Sequence, residues 1–224
     1  MIKVGGSLSE DPQILKALGS ELSILAKKHS LVIVPGGGKF ADAVRGLDER
    51  FSLPAPVSHR MAILAMDQYG LTLSHVIAGS ETCHSLRAAR EISRGKHAAI
   101  LLPSKMLHKF DPFEPSWDVT SDSIAAYIAC KLKASVVIFV TDVDGIFTAD
   151  PKNHGNAQLL SQVSGEELMH FSGRTSVDRF LPVFLSQHTL NCYVVSGRFP
   201  ERVAAVLLGR ETMATRILPR TERV

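Results

Sequence analysis

A chain of 224 residues can bury one large core or two small ones. With 45% hydrophobic and 21% charged residues it has the balance of an ordinary soluble globular protein, and a net charge of +3 without a dense Lys/Arg run gives no footprint for nucleic acid. No uninterrupted apolar run approaches the ~20 residues of a membrane span, and an opening strand that runs into glycines lacks the layout of a signal peptide.

The chain opens on an apolar strand carrying Lys3 and passes at once into Gly5, Gly6 and Ser7. Asp11 and Pro12 have the pattern of an N-cap and a first-turn proline, and Leu15, Leu18, Leu22 and Leu25 mark one apolar face of a helix to about residue 29. Residues 31–34, LVIV, read as a short buried strand ended by Pro35. Gly36, Gly37 and Gly38 follow, and Phe40, Val44 and Leu47 then recur at helical spacing. This β-α-β opening predicts two parallel strands whose glycine loops share the carboxyl edge of one sheet, where open α/β folds bind ligands. Residues 49–57, with Pro54 and Pro56, read as a loop, and Ser58 as the cap of a helix through Leu73. A further helix is expected over 82–92 and a short strand over 98–102, ended by Pro103. Residues 108–117, rich in proline and aromatics, read as a surface excursion. Ser121 has the position of a cap on a helix that buries Ile124, Ala125, Ile128 and Leu132, with Asp122 in its first turn. Residues 135–140, SVVIFV, are the strongest strand and run into the Asp-, Thr- and Gly-rich turn TDVDGIFTADP. Helices are expected at 164–171 and 176–188, with Pro182 kinking the second. A strand at 192–195, a proline-opened helix at 200–208 and a strand at 215–218 complete the chain. The alternation predicts one three-layer α/β/α unit over residues 1–224, with a mainly parallel central sheet.

Cys83, Cys130 and Cys192 are odd in number, widely spaced and without a CxxC, which points to buried thiols in a reducing cytoplasm. The nine histidines have no metal-ligand spacing. The polar groups suited to chemistry gather at presumed carboxyl edges of strands: Lys3 with the 5–7 loop, the glycine triplet, and residues 141–145, with Asp122 at a helix start. Glycines without Cβ let a ligand approach the bare backbone, and the helix behind them offers unpaired N–H groups and the positive end of its dipole. Phosphoryl transfer needs two phosphate-bearing molecules held in line and their charge neutralised. Two facing glycine loops with a lysine between them suit that task. Neither GxxxxGK[ST] nor GxGxxG is present, so a nucleotide has to be held in another way.

Four stretches carry a resemblance: IKVGGSL (2–8), IVPGGGKFADAVR (33–45), DVTSDSIAAYIA (118–129) and VTDVDGIFTADP (140–151). In this order they resemble the amino acid kinase superfamily, from the first strand to the last. The resemblance implies ATP as phosphoryl donor, with Mg2+ carried through the ATP phosphates and no dedicated protein metal site. It implies that Lys3 contacts the transferring phosphoryl group, that Gly5, Gly6 and Ser7 line the nucleotide phosphates, and that Gly36, Gly37 and Gly38 cradle the acceptor. Asp122 is expected to position Lys3 and its partner cation. Thr141, Asp142, Val143, Gly145, Ile146 and Phe147 are expected to border the nucleotide, with Asp150 nearby. Where many family members carry a second lysine, GRTSVDRF offers Arg174 and Arg179 instead, and Arg179 is taken as the second catalytic cation.

HRMAILAMDQYG (59–70), WDVTSD and SGRTSVDRFLP (172–182) resemble a narrower subgroup of small kinases that phosphorylate an aminomethyl-furanyl-methyl phosphate to its diphosphate. This implies a phosphate monoester acceptor beside His59 or Arg60. Residues 1–117 are then the acceptor-binding half and 118–224 the nucleotide-binding half of a cytoplasmic enzyme, and the family's habit implies a homo-oligomer. The rival acceptors are isopentenyl phosphate and a nucleoside monophosphate. The rival outside catalysis is a nucleotide- or oxyanion-binding protein on the same fold. A long apolar tunnel would favour the isoprenoid, and a carboxylate or carbonyl near the pocket would favour the amine.

Overall fold

In the computed structural model, which describes residues 1–149, 154–171 and 176–219, strand β1 (Ile2–Val4) lies at the centre of the sheet. It pairs in parallel with β2 (Val32–Pro35) on one side and β5 (Val137–Thr141) on the other, so that Lys3 stands opposite Val34 and Phe139. The remaining strands are β3 (Ser80–Cys83), β4 (Ala98–Leu101), β6 (Gln162–Ser164), β7 (Cys192–Ser196) and β8 (Thr215–Leu218). The order is β3-β4-β2-β1-β5-β7-β8-β6, and every pair is parallel except β7 with β8. The crevice flanking the carboxyl end of β1 is the point where connections leave in opposite directions, the position at which open α/β sheets hold ligands.

The helices are α1 (Pro12–Ala26), α2 (Gly38–Phe51), α3 (Ala55–Val76), α4 (Leu86–Arg94), α5 (Ser104–Lys109), α6 (Ser121–Leu132), α7 (Gly165–Met169), α8 (Leu181–Gln187) and α9 (Pro200–Leu207). Strand side chains alternate in direction, and the core divides accordingly. Ile2, Val4 and Val140 pack with Leu18 and Leu22 of α1, Tyr69 and Leu73 of α3, and Val203 of α9. Val34, Phe139 and Val194 pack on the other face with Ile124 and Ile128 of α6 and Leu181 of α8. Lys3 projects to this second face, toward α6. The expected three-layer architecture and mainly parallel sheet are therefore present, and no helix among the described residues is long and apolar enough to cross a membrane.

Several local expectations are corrected. Residues 49–57 are not one loop: α2 continues to Phe51, Ser52 turns the chain at φ +47°, and α3 starts at Ala55 with Pro56 in its first turn, where a missing N–H leaves no acceptor unpaired. The expected 82–92 helix is strand β3 followed by α4, whose cap Ser85 accepts from Ala88 N at 3.2 Å. Residues 164–171 begin inside β6, and Ser164 with Glu167 then forms a capping box on α7. Helix α8 starts only at Leu181, so Pro182 sits in its first turn and kinks nothing. Ser121 is the first helical residue of α6 and does not cap it; Thr120 holds the cap position. The excursion after α5 is anchored by Phe113, edge-on to Tyr127 and Phe180 at ring-centroid distances of 5.7 and 5.8 Å.

Candidate active site

Lys3 is buried in the middle of β1, and its Nζ lies 2.8 Å from Asp122 Oδ1 in the first turn of α6. A buried ammonium and carboxylate persist together only because each neutralises the other. Asp122 is held from behind, its Oδ2 accepting from Asp178 N at 3.2 Å. The Asp178 carboxylate in turn accepts from five donors: Thr120 N and Oγ1, Ser123 N and Oγ, and Leu181 N, at 2.5–3.0 Å. Burial, with the neighbouring Asp122 charge as the second cause, pushes the Asp178 carboxyl above its ordinary value. Asp178 thus fastens the segment before α8 to the first turn of α6 and fixes where Asp122 meets Lys3.

Around the Lys3 ammonium the two glycine loops meet. Gly5 N donates to Val140 O at 2.7 Å and Gly36 N to Val4 O at 2.8 Å, so these amides extend the sheet. Gly6 and Ser7 open a 3-10 turn (Gly6–Glu10), while Gly37 and Gly38 form the cap and first residue of α2. N–H groups in such first turns have no intrahelical acceptor and suit an anion. The loops touch so closely that a Cβ on Gly6 would lie 2.1 Å from Gly38 N, and Gly38 itself has φ +54°. Tyr69 of α3 donates from its buried hydroxyl to Gly5 O at 3.2 Å, tying the long helix to the first loop.

The cleft above these loops has a volume of about 480 Å³. Lys3, Gly5, Gly6, Ser7, Gly37 and Gly38 line it, together with His59 on one side and Thr141, Asp142, Val143, Gly145 and Phe147 on the other. Asp142 Oδ1 accepts from Ser7 Oγ at 3.0 Å and from Thr141 Oγ1 at 3.2 Å, joining the first loop to the turn after β5. Thr215 Oγ1 accepts from Ile146 N at 2.8 Å and donates to Leu160 O at 2.6 Å, pinning that turn from below.

Five expected site residues stand apart from this lining. Asp122 sits behind Lys3, Gly36 is buried under the loop, and Ile146 is wholly buried beneath the turn. Arg60 lines a neighbouring cavity, with a guanidinium nitrogen 3.4 Å from His108 Nε2. Arg179 is not brought to Lys3: its side chain is 89% exposed and reaches toward Asp118 at 3.9 Å. Asp150 and Arg174 lie outside the described residues. Burial pushes the Cys83 thiol up to about 11 and raises Cys130 and Cys192 as well, the reverse of what activates a thiol; Cys130 is half-buried rather than buried.

Sequence reasoning passed over Asp178 and the far end of the cleft. Asp178 precedes a helix by a few residues and accepts from Leu181 N three positions on, a local signal typical of helix entries. The far end is lined by Glu10, Lys39, Asp42, Arg45 and Trp117. Lys39 Nζ pairs with Glu10 Oε1 at 2.7 Å and Arg45 with Asp42 Oδ1 at 3.0 Å. Trp117 Nε1 donates to Asp48 Oδ2 at 2.6 Å, and the Arg45 guanidinium lies over its ring at 4.7 Å.

A mainly parallel sheet with a lysine at its centre and two facing glycine loops at its carboxyl edge suits a phosphotransferase, and the amino acid kinase family pattern matches residues 1–196. The chain belongs to the amino acid kinase family. It is 40% identical over 221 residues to the [5-(aminomethyl)furan-3-yl]methyl phosphate kinase of Methanocaldococcus jannaschii, covering 97% of each chain. It is 25% identical to the uridylate kinase of Thermococcus kodakarensis, across 93% of this chain and 95% of that one. Among solved structures it superposes on the uridylate kinase of Archaeoglobus fulgidus with a TM-score of 0.75 at 21% identity, covering 96% of this chain and 99% of the other.

Proposed function

We propose that this kinase transfers the γ-phosphoryl group of ATP to the phosphate of a compact, amine-bearing monoester, an aminomethyl-furanyl-methyl phosphate. A phosphate oxygen of the acceptor attacks Pγ, the bond from Pγ to the β–γ bridging oxygen breaks, and ADP leaves with a diphosphate as the other product. The observation that carries the reading is the pairing, in one cleft, of the Gly37–Gly38 amides with a carboxylate, Asp42, one helical turn further along α2. The amides suit the acceptor phosphate and Asp42 suits its ammonium, the two groups that the name of the 40% identical relative places in one substrate. A uridylate would bring no cation to Asp42.

In this reading the first half of the chain carries the acceptor and, apart from the Gly6–Ser7 loop, the second half carries the nucleotide. Gly6, Ser7 and the 141–147 turn border the ATP phosphates, and Lys3, oriented by Asp122, neutralises charge as it builds on the transferring group. The loops hold donor and acceptor in line, and no protein nucleophile is needed. Magnesium bound to ATP supplies neutralisation of the β- and γ-phosphates. Asp142 stands beside the Ser7 loop, a single carboxylate suited to an ion carried mainly on phosphate oxygens. The expected homo-oligomer is supported by Val57, Leu64 and Leu71, exposed at seven-residue spacing along α3, and is read by size exclusion with light scattering.

The test is direct: purified protein with ATP and magnesium is offered the aminomethyl-furanyl-methyl phosphate, its analogue with hydroxyl in place of amine, and uridylate, and ADP and diphosphate are quantified. The amine-bearing acceptor is expected to give the highest kcat/KM. Asp42→Asn should reduce its advantage over the hydroxyl analogue by about tenfold. Preference for uridylate would reject the acceptor assignment.

A further inference from the structure

Beside the cleft lies a second, half-open cavity of about 340 Å³, bounded by α3, α5 and the segment after α5. Its walls are mainly apolar, from Ile63, Leu64, Leu107 and Phe113, and Arg60 and Lys105 stand among them. His59 and Ile63 line both spaces. The imidazole of His59 is buried, and its Nε2 lies 2.9 Å from Asp111 Oδ2. Asp111 is itself fixed, its Oδ1 accepting from Phe113 N at 3.1 Å. His59 thus stands with Ile63 where the two cavities meet, a latched side chain with a backbone-anchored carboxylate as the catch.

We propose that His59, held by Asp111, is the end wall of the acceptor site and sets how long an acceptor can be. The proposal rests on the phosphate-acceptor reading and adds the determinant of size. With the wall in place, an acceptor whose phosphate lies on the Gly37–Gly38 amides meets imidazole beyond its ring. With the wall removed, the cleft opens into an apolar chamber within the size range of small-molecule pockets, suited to the hydrocarbon tail of an alkyl or prenyl phosphate. The same fold can then take either acceptor class, with one side chain deciding between them.

The measurement is the ratio of kcat/KM for hexyl phosphate to kcat/KM for the aminomethyl-furanyl-methyl phosphate, in the full chain. Each apolar group accommodated in place of a clash is worth about tenfold or more. His59→Ala should raise the ratio at least tenfold. Asp111→Ala, which leaves the imidazole but frees it, should raise it about threefold and covers the case in which His59→Ala does not fold. Lys105→Trp, placed at the chamber wall in the His59→Ala background, should cancel the gain, an effect that general loosening would not produce. A ratio unchanged in the folded variants, or a gain indifferent to Lys105→Trp, overturns the wall while leaving the short acceptor's turnover as measured. Absence of turnover on every phosphate monoester by the unaltered protein overturns the acceptor reading, and the wall with it.

Discussion

The two ends of the cleft handle charge in opposite ways. At the proposed transfer end, Lys3 and Asp122 are buried and Asp178 is partly buried; the three are chained by short contacts, and the last of them is held by five donors. At the proposed acceptor end the pairs Lys39–Glu10 and Arg45–Asp42 stand in water, each side chain roughly half exposed or more. Buried charges are weakly screened and cannot lose a partner cheaply, whereas exposed pairs are screened and exchange partners readily. The difference teaches a division of labour. In the proposed mechanism the charge that meets the transition state is immobilised in advance, and the charges that would greet the acceptor are left free to re-pair with it.

The strongest way to break this comparison is at Lys3. Lys3→Ala should lower kcat by about 10³-fold, the scale of losing a positioned cation at a transferring phosphoryl group. It also strands Asp122 as a buried carboxylate, so the melting temperature should fall. Lys3→Ala with Asp122→Asn should recover most of the melting temperature and none of the turnover. Normal turnover in either variant would remove Lys3 from the chemistry.

Gly6→Ala comes next. The added methyl would meet Gly38 backbone, so the loops must part, and a displacement near 1 Å costs about 10²-fold in kcat/KM. Steady-state kinetics on both substrates measure this, and an unaffected enzyme would show that loop contact does not set alignment.

Asp178→Asn should lower kcat about tenfold with KM nearly unchanged, because it acts through Asp122 and touches neither substrate. It has a pH signature as well. The native carboxyl is raised above 3.8, so the folded protein keeps a proton that the unfolded chain gives up between the two values. The stability this group contributes is therefore present below the ordinary value and is lost as pH rises through the native one. The unfolding free energy of the wild type, relative to Asp178→Asn, should decline across that interval in denaturant titrations; a flat difference would contradict the burial-driven shift.

The smallest effect belongs to the acceptor rim. Lys39→Ala should leave the melting temperature within error and change KM less than threefold, since its partner Glu10 is also exposed. A large loss would move this pair into the anchored class and blur the distinction between the ends.

The transfer end was largely legible because its signals are local. Lys3 before GGS, the glycine triplet and the turn after SVVIFV each announce a strand edge within a few residues, and the fold brings them to one cleft. What escaped is long-range or half-exposed. Asp178 gains its meaning from residues 55–58 positions away, and attention to the neighbouring arginines passed over it. Strand β3 is an edge strand with Glu81 and Thr82 exposed, so no apolar alternation marks it, and β6 has only three residues. Pro54 and Pro56 read as a loop because proline both breaks helices and opens them, and only the surrounding packing decides which.

The touching backbones of Gly6 and Gly38 have a thermodynamic corollary. A shift of either loop when its reactant binds is felt sterically by the other, with Tyr69 adding a second tether from α3 to Gly5. With the nucleotide on one loop and the acceptor on the other, as proposed, a shift at one side would bias affinity at the other, and linkage would make that bias reciprocal: whatever factor the nucleotide imposed on acceptor binding, the acceptor would impose on the nucleotide.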